Sequence, residues 1–203
     1  LLNKANVQTH LYSNQGKTGS WNLAASIIFK NSKRLFSTND VMLGNNSGIQ
    51  DKPLDHEFFN KNFDEIAKIN SNNQLSLDVF HGYAGHGPYR NFIDDKFKKN
   101  VDDFYLNKER ESIFGESKFF INNQIEQYDS ALSYIDYSIS NVIKKVKYLK
   151  KPIVLIYFSD HGESPFTARG HDSSRFVNEM ARIPFLMYFN DLLNDGPAPT
   201  MNT

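Results

Sequence analysis

A stripe of apolar residues from about Glu116 to Leu149 constrains the fold of this chain more than any other feature. Its members recur every three or four residues, as on one face of an α-helix: Ile121, Ile125, Tyr128, Leu132, Ile135, Ile139, Val142, Val146 and Leu149. A helix of about thirty residues would be ~45 Å long at about 1.5 Å per residue, enough to cross a whole β-sheet. Lys151-Pro152 ends the pattern, and an apolar strand follows at once. This helix-to-strand connection is typical of α/β folds.

The strand predicted after this helix is Ile153 to Phe158, an unbroken apolar run with β-branched and aromatic residues. Such runs are typical of strands that are buried on both faces, as in a parallel sheet under helices. Ser159-Asp160-His161-Gly162-Glu163 follows directly. Open α/β folds bind their ligands at the carboxyl ends of strands, and the side chains of Asp and His both coordinate metals. We therefore expect a site at this strand end, where Gly162 would let the backbone turn tightly.

Shorter patterns along the rest of the chain predict further strands and helices. Strands are predicted over Asn6–Ser13, Arg34–Thr38, Leu75–Phe80 and Arg182–Phe189, and helices over Ser20–Lys30 and about Asp55–Ile69. Strands that alternate with helices indicate an α/β fold. We therefore predict one domain over residues 1–203, with a mainly parallel sheet sandwiched by helices.

The composition excludes several classes of function. Lys plus Arg and Asp plus Glu each number 23, so the net charge gives no basis for broad electrostatic capture of nucleic acid. The chain has no cysteine, which excludes thiol nucleophiles, thiolate metal sites and disulfides. No run of about eighteen apolar residues is present, so we expect no part of this chain to span a membrane. The first residue is leucine and no signal-peptide pattern follows, so we expect a mature domain or an excised piece.

Histidines lie at or near several of the predicted strand ends. His81 and His86 follow one strand, His161 follows another, and His171 lies in the next loop. In a doubly wound sheet these strand ends meet at one edge. Asp160 together with these imidazoles would suit zinc, which takes nitrogen and carboxylate oxygen ligands at ~2.0–2.2 Å. Each histidine alone is more often a loop residue with ordinary hydrogen bonds, so the prediction depends on the combination.

Several stretches occur in an order that resembles one known superfamily. Ser159-Asp160-His161-Gly162-Glu163 is followed by Gly170-His171 and then by Arg182-Ile183-Pro184-Phe185. Three earlier stretches agree with it: Leu11-Tyr12-Ser13-Asn14-Gln15, His86-Gly87-Pro88-Tyr89, and Tyr128-Asp129-Ser130-Ala131 with Tyr134 and Asp136. Together they resemble the alkaline phosphatase superfamily, and within it the sulfatase-like phosphoethanolamine transferases of Gram-negative bacteria. The resemblance covers about residues 7 to 190 and implies an alkaline-phosphatase/sulfatase-like α/β fold.

The resemblance also implies roles for particular residues. Asp160 and His161 would hold a catalytic zinc ion, and His86 and His171 would line the substrate phosphate or hold a second metal. Enzymes of this family work by double displacement, in which a zinc-activated threonine attacks a phospholipid donor, forms a phospho-enzyme and passes the group to a sugar hydroxyl. The implied partners are therefore a phospholipid and a surface glycan such as lipopolysaccharide, at the periplasmic face of the bacterial inner membrane.

The chain departs from the family pattern in its nucleophile region. The family's threonine and an acidic ligand lie upstream of the strand that matches Asn6–Ser13, and neither has a counterpart here. The resemblance therefore implies a truncated segment of a larger, membrane-anchored protein, and this segment alone is expected to be inactive. Thr18 and Ser20 precede a predicted helix, where phosphate is favoured, but Ser20 is more simply interpreted as the helix N-cap. Glu163 is interpreted as a cap of its turn, with a role as base or as support for a ligand as the alternative.

Two other functions are compatible with the same residues. A hydrolase of the same fold, either a sulfatase or a phosphodiesterase, is the first alternative. The second alternative is a non-catalytic, truncated domain that binds metal or glycan, or that only folds. The upstream sequence would distinguish them, since a threonine at the nucleophile position favours the transferase and a Cys-x-Pro-x-Arg pattern favours a sulfatase.

Overall fold

The computed structural model describes residues 2–15, 27–36, 53–69, 75–98, 118–165, 170–172, 174 and 176–194. The chain divides into two compact units, Leu1–Phe97 and Lys98–Thr203. Each unit has its own β-sheet, three-stranded in the first and two-stranded in the second. The single domain predicted over residues 1–203 stays a prediction.

The first unit contains a parallel sheet of strands β1 (Gln8–Ser13), β2 (Lys33–Phe36) and β3 (Ser76–His81), in the order β2-β1-β3. Ser13, the last residue of β1, is in register with the last residues of both neighbouring strands. The predicted parallel pairing is confirmed here. Because the three strands end level with one another, the loops that follow them leave the sheet at one edge.

Helix α1 (Asp55–Ile69) has the bounds predicted from its apolar periodicity. Its Phe58 and Ile66 form a buried cluster with Tyr12 of β1, and the ring of Tyr12 stacks on Phe80 of β3 with centroids 5.1 Å apart. Each such side chain contributes about 1.5–3 kcal/mol when it is fully buried, which holds the helix against the strands. The helix predicted over residues 20–30 falls mainly outside the described residues.

The second unit contains the long helix α2 (Lys118–Lys147), strand β4 (Val154–Phe158) and strand β5 (Phe185–Phe189). A 3-10 helix, Asn178–Ala181, precedes β5, and a short helix α3 (Asp191–Asn194) follows it. The predicted long helix is confirmed. Neither α2 nor any other helix in the described part of the chain is apolar over a length that could cross a membrane.

The buried face of α2 differs from the predicted apolar stripe. Tyr134 and Val146 are fully buried, but Leu132 is 44% exposed. The buried face also includes Ala131 and Ser138, and the Ser138 hydroxyl donates to a carbonyl one turn earlier in the helix at 2.9 Å. Small side chains let a helix pack closely, so the stripe of large apolar residues alone misplaces the contact face.

Strand β4 pairs antiparallel with β5, from Val154 opposite Phe189 to Phe158 opposite Phe185. The prediction that this strand is buried on both faces is wrong for this chain, because Val154, Ile156 and Phe158 are 48%, 50% and 62% exposed. The residues between them are half-buried, which is the alternation of a sheet with one covered face. An unbroken apolar run cannot distinguish a strand with two buried faces from one with a single buried face, since both faces carry apolar side chains in either case.

Asn190, directly after β5, is buried and joins the end of β5 to the segment that precedes β4. Its Oδ1 accepts a hydrogen bond from the Ile153 amide at 3.0 Å, and its Nδ2 donates to the Lys151 carbonyl at 2.6 Å. Backbone N–H and C=O groups between a helix and a strand have no partner within either element, so they need other hydrogen-bond partners. The Asn190 side chain therefore fixes the point at which β4 begins.

Replacing Asn190 with alanine should lower the free energy of unfolding by about 1–3 kcal/mol, the cost of leaving a buried polar group without its partner. Urea unfolding followed by circular dichroism measures this loss. The matched control is Asn178→Ala at an exposed position of the same unit, which should change stability by less than about 0.5 kcal/mol. Equal losses in the two variants would contradict the role given to Asn190.

Candidate metal centre

The turn that follows β4 carries the predicted metal ligands and is held by its own side chains. The Ser159 hydroxyl donates to the His161 carbonyl at 2.7 Å, and the His161 amide donates to Oδ1 of Asp160 at 3.1 Å. The Asp160 side chain remains 86% exposed, whereas His161 is 38% exposed. Oδ1 of Asp160 lies 3.9 Å from Nε2 of His161. The structure therefore places the predicted ligand pair on one side of the turn.

Gly162 is needed here for close packing rather than for an unusual backbone conformation. Its amide donates to the Met180 carbonyl at 2.8 Å, so the turn lies directly on the 3-10 helix that precedes β5. A Cβ at this position would collide with the backbone carbonyl oxygens of Glu179 and Arg182. Among the described glycines, Gly85 and Gly170 have positive φ and Gly162 does not.

His171 is brought beside this turn by the return of its loop. The Ser164 amide donates to the Gly170 carbonyl at 3.0 Å, in an isolated antiparallel bridge. Gly170 has a φ of 61°, a left-handed conformation that glycine adopts without the cost of a Cβ. The rings of His161 and His171 consequently lie with their centroids 4.1 Å apart and their planes inclined by 34°.

Hydrogen bonds at Nδ1 fix the orientation of both imidazoles. Nδ1 of His171 donates to Oε1 of Glu163 at 2.6 Å, and Nδ1 of His161 donates to the Gly162 carbonyl at 3.0 Å. A carbonyl or carboxylate oxygen accepts, so each Nδ1 carries the proton, and the lone pair of a neutral ring lies on Nε2. Donation from the second ring nitrogen to an oxygen is what metal-binding histidines usually show.

The three side chains of His161, Glu163 and His171 form a compact cluster. One ligand atom from each lies within 4.8 Å of the others, a spacing that could hold a metal ion. Glu163 is 7% exposed and His171 is 39% exposed, so the carboxylate lies beneath the imidazole. The sequence interpretation of Glu163 as a turn cap missed this contact. The alternative interpretation from the sequence, in which Glu163 supports a ligand, fits the hydrogen bond to His171.

Tyr128 of α2 lies close enough to this cluster for the charge of Glu163 to affect its pKa. Burial raises the pKa of the Tyr128 phenol, and the negative charges of Glu163 and Asp129 raise it further. The phenol therefore keeps its proton at neutral pH. Tyr128 belongs to one of the stretches that carried the family resemblance, and its position links α2 to the metal centre.

The remaining predicted site residues lie in the first unit or outside the described residues. His86 is exposed in the loop after β3, and its Nδ1 donates to the Gly87 carbonyl at 2.7 Å, so its ring has the same tautomer as those of His161 and His171. His81 contacts the Ser13 hydroxyl through Nδ1 at 3.0 Å. Thr18 and Ser20 lie outside the described residues. That His86 meets the other histidines at one edge stays a prediction.

A family model described as Sulfatase matches residues 1–200. The chain therefore belongs to the sulfatase family.

Comparisons with individual proteins agree with this family and with the resemblance to phosphoethanolamine transferases. Phosphoethanolamine transferase EptA of Helicobacter pylori is 31% identical over 134 residues, which cover 64% of this chain and 24% of that protein. The C-terminal periplasmic domain of EcEptC from Escherichia coli, solved in complex with Zn, has a TM-score of 0.71 at 19% identity and covers 94% of this chain and 51% of that one. Lipoteichoic acid synthase LtaP from Listeria monocytogenes has a TM-score of 0.60 at 17% identity, over 92% of this chain and 44% of that one.

The chain represents only part of each of these proteins. The chain spans about a quarter of the length of its curated relative and about half of the two solved structures. The structural similarities confirm the predicted sulfatase-like α/β fold.

Proposed function

We propose that the protein is a zinc-dependent transferase that moves phosphoethanolamine, or a related phospho-group, from a phospholipid to a cell-surface glycan such as lipopolysaccharide. The observation that carries this proposal is the meeting of the Asp160-His161 turn with Glu163 and His171 at the end of β4. The names of the relatives support it, since EptA is a phosphoethanolamine transferase and the EcEptC domain was solved with Zn. The nucleophile and the membrane-bound segments would lie in the protein outside this chain, and the site would face the periplasm.

The donor set fits zinc. A carboxylate oxygen of Asp160 and Nε2 of His161 are ligand types that zinc accepts, and they lie 3.9 Å apart. Two ligand atoms around a tetrahedral zinc ion, with bonds of about 2.0–2.1 Å, are about 3.4 Å apart. The Asp160 side chain is 86% exposed, so packing does not fix the position of its carboxylate. Asp160 and His161 would therefore hold the metal.

The chain's own residues would then bind and orient the phosphate. When bound, zinc supplies Lewis-acid polarisation of a phosphoryl oxygen and lowers the pKa of the attacking hydroxyl. With a proton on Nε2, His171 would donate to a phosphate oxygen from that atom, because its Nδ1 proton is already donated to Glu163. Glu163 would keep the His171 ring in this orientation. The family resemblance also gives His86 a phosphate-binding role.

A transfer assay on the intact protein tests the proposal. With a fluorescent phosphatidylethanolamine donor and lipopolysaccharide as acceptor, we expect mass spectrometry to detect a phosphoethanolamine-modified acceptor. Chelation should abolish the product, and added zinc should restore it. Hydrolysis of the donor without modification of the acceptor would favour a phosphodiesterase instead. Release of sulfate from an aryl sulfate would favour a sulfatase, and a zinc-loaded protein inactive in every assay would favour the non-catalytic alternative.

Replacing Glu163 with alanine should lower kcat/KM for transfer by about 10–100-fold, the usual cost of losing the oxygen that orients an active-site histidine. The Glu163→Gln variant keeps an acceptor oxygen and should lose less. The ¹⁵N shifts of the His171 ring report whether the proton remains on Nδ1. The matched control is Glu179→Gln at an exposed position. Unchanged ¹⁵N shifts and unchanged kcat/KM in Glu163→Ala would contradict the orienting role.

A further inference from the structure

Asp55, the first residue of α1, carries a buried carboxylate that the proposed chemistry does not use. Asn14 donates to its Oδ1 through Nδ2 at 2.6 Å. The Tyr83 amide lies 3.0 Å from Oδ1 and 2.9 Å from Oδ2, and the Ala84 amide donates to Oδ2 at 2.8 Å. Both carboxylate oxygens therefore accept hydrogen bonds from N–H groups.

These donors come from two different loops at the same edge of the first sheet. Asn14 follows β1 and also donates to the Pro53 carbonyl at 3.0 Å. Tyr83 and Ala84 follow β3. The carboxylate of Asp55 thus joins the ends of two parallel strands to the start of a helix.

This arrangement differs from an ordinary helix cap. An N-cap side chain accepts from amides of its own helix, two or three residues further on. The donors to Asp55 all come from other segments. A different acidic residue, Glu57, accepts from the Leu54 amide at 3.0 Å at the same helix end. Capping therefore does not explain why a carboxylate is buried at residue 55.

The cost of burying Asp55 also indicates a specific role. Burial raises the pKa of the Asp55 carboxyl, whereas the hydrogen bonds from Asn14, Ala84 and Tyr83 lower it. A buried carboxylate is costly unless several donors compensate it. Gly82 is part of the same arrangement, because a Cβ there would lie 2.8 Å from Oδ2 of Asp55. The loop therefore has a glycine where the carboxylate approaches it most closely.

The loop that Asp55 holds leads within two residues to His86. Gly85 has a φ of 97°, and the His86 amide donates to the Tyr83 carbonyl at 3.3 Å, which closes a turn. The Tyr83 ring lies against Phe92, with centroids 4.0 Å apart, and 5.8 Å from the His86 ring. The anchored residue, Tyr83, thus contacts His86 through both backbone and side chain.

We propose that Asp55 is a positioning residue for His86, acting through the amides of Tyr83 and Ala84 and through Asn14. This inference depends on the phosphate-binding role given to His86 in the proposed function. The carboxylate holds the backbone of the loop after β3 in one position at the edge of the sheet. The His86 ring can then contact a phosphate group of the substrate in one orientation. Loss of the carboxylate lets the loop move, and displacement of a binding group by about 1 Å can cost about 100-fold in rate.

A double-mutant cycle on the intact protein tests this role. In the transfer assay, Asp55→Asn should lower kcat/KM by about 10–100-fold. In a His86→Ala background the same substitution should cost less than about 2-fold, because residues that act through one another are not additive. Zinc affinity should stay the same in all variants. The matched control is Asp64→Asn, at an exposed position of the same helix.

Hydrogen exchange gives a second readout that does not depend on activity. The amides of Tyr83 and Ala84 should exchange faster in Asp55→Asn than in Asp64→Asn. If Asp55→Asn fails to fold, Asn14→Ala removes one donor and should give a smaller loss in the same direction. Additive losses with His86→Ala, or unchanged exchange at Tyr83 and Ala84, would overturn the positioning role alone. A silent His86→Ala would overturn the proposed phosphate contact itself, and this proposal with it.

Discussion

Replacing His161 with alanine should abolish detectable transfer and weaken zinc binding by more than about 100-fold. Loss of an outer partner of a metal ligand already costs about 10–100-fold, and loss of the ligand itself must cost more. The geometry supports a direct role, since Nδ1 of His161 is engaged by the Gly162 carbonyl and Nε2 lies 3.9 Å from Asp160. Asp160→Asn should act in the same direction, because it removes the charge that complements the cation.

Titration of the intact protein with zinc in competition with a fluorescent chelator measures this affinity. His56→Ala serves as the matched control. His56 lies on α1 in the first unit, whereas the proposed ligands belong to the second unit. Circular dichroism should show that both variants are folded. Zinc affinity that is equal in His161→Ala and His56→Ala would refute the assignment of the metal to this turn.

Gly162→Ala should give the largest loss of stability, about 3 kcal/mol or more, at the upper end of the ~1–3 kcal/mol that overpacking usually costs. The added Cβ meets the carbonyl oxygens of Glu179 and Arg182, which are backbone atoms and cannot rotate away. The turn must therefore move away from the 3-10 helix, and its hydrogen bond to the Met180 carbonyl is lost. His161 and Glu163 flank this position, so zinc affinity should fall as well.

Thermal unfolding of Gly162→Ala against Gly87→Ala separates this effect from the general consequences of adding a methyl group. A Cβ at Gly87 meets no atom within 4 Å, so this variant should unfold at nearly the parental temperature. Gly82→Ala should lie between the two, because the atom it approaches at 2.8 Å belongs to the side chain of Asp55. Three equal unfolding temperatures would show that the turn is not packed as tightly as these contacts require.

Much of the fold could be predicted from local sequence patterns. The apolar periodicity predicted α1 from about Asp55 to about Ile69, and that of residues 116–149 predicted α2 within a few residues at each end. The Asp160-His161 pair was proposed as a metal site because it follows an unbroken apolar run, and strand ends are where such folds bind ligands. These signals are local, since the residues that produce them are neighbours along the chain.

Other features depend on contacts between distant segments and could not be predicted. The apolar run of β4 indicated two buried faces, but its antiparallel partner β5 and its exposed face depend on what the rest of the chain covers. In the sequence, Asp55 is only the start of a predicted helix, whereas its four hydrogen bonds come from residues 14, 83 and 84. No local pattern links these positions.

The sequence by itself determined the α/β class, the long helix, and an acid and an imidazole at the end of an apolar strand. The tertiary structure decided that Glu163 lies beneath His171, that Gly162 is required by two backbone carbonyls, and that a buried carboxylate holds the loop of His86. The physical reason is the range of the interactions. Helix and strand patterns arise from residues a few positions apart, whereas hydrogen bonds to buried carboxylates and close backbone contacts exist only once distant segments are packed together.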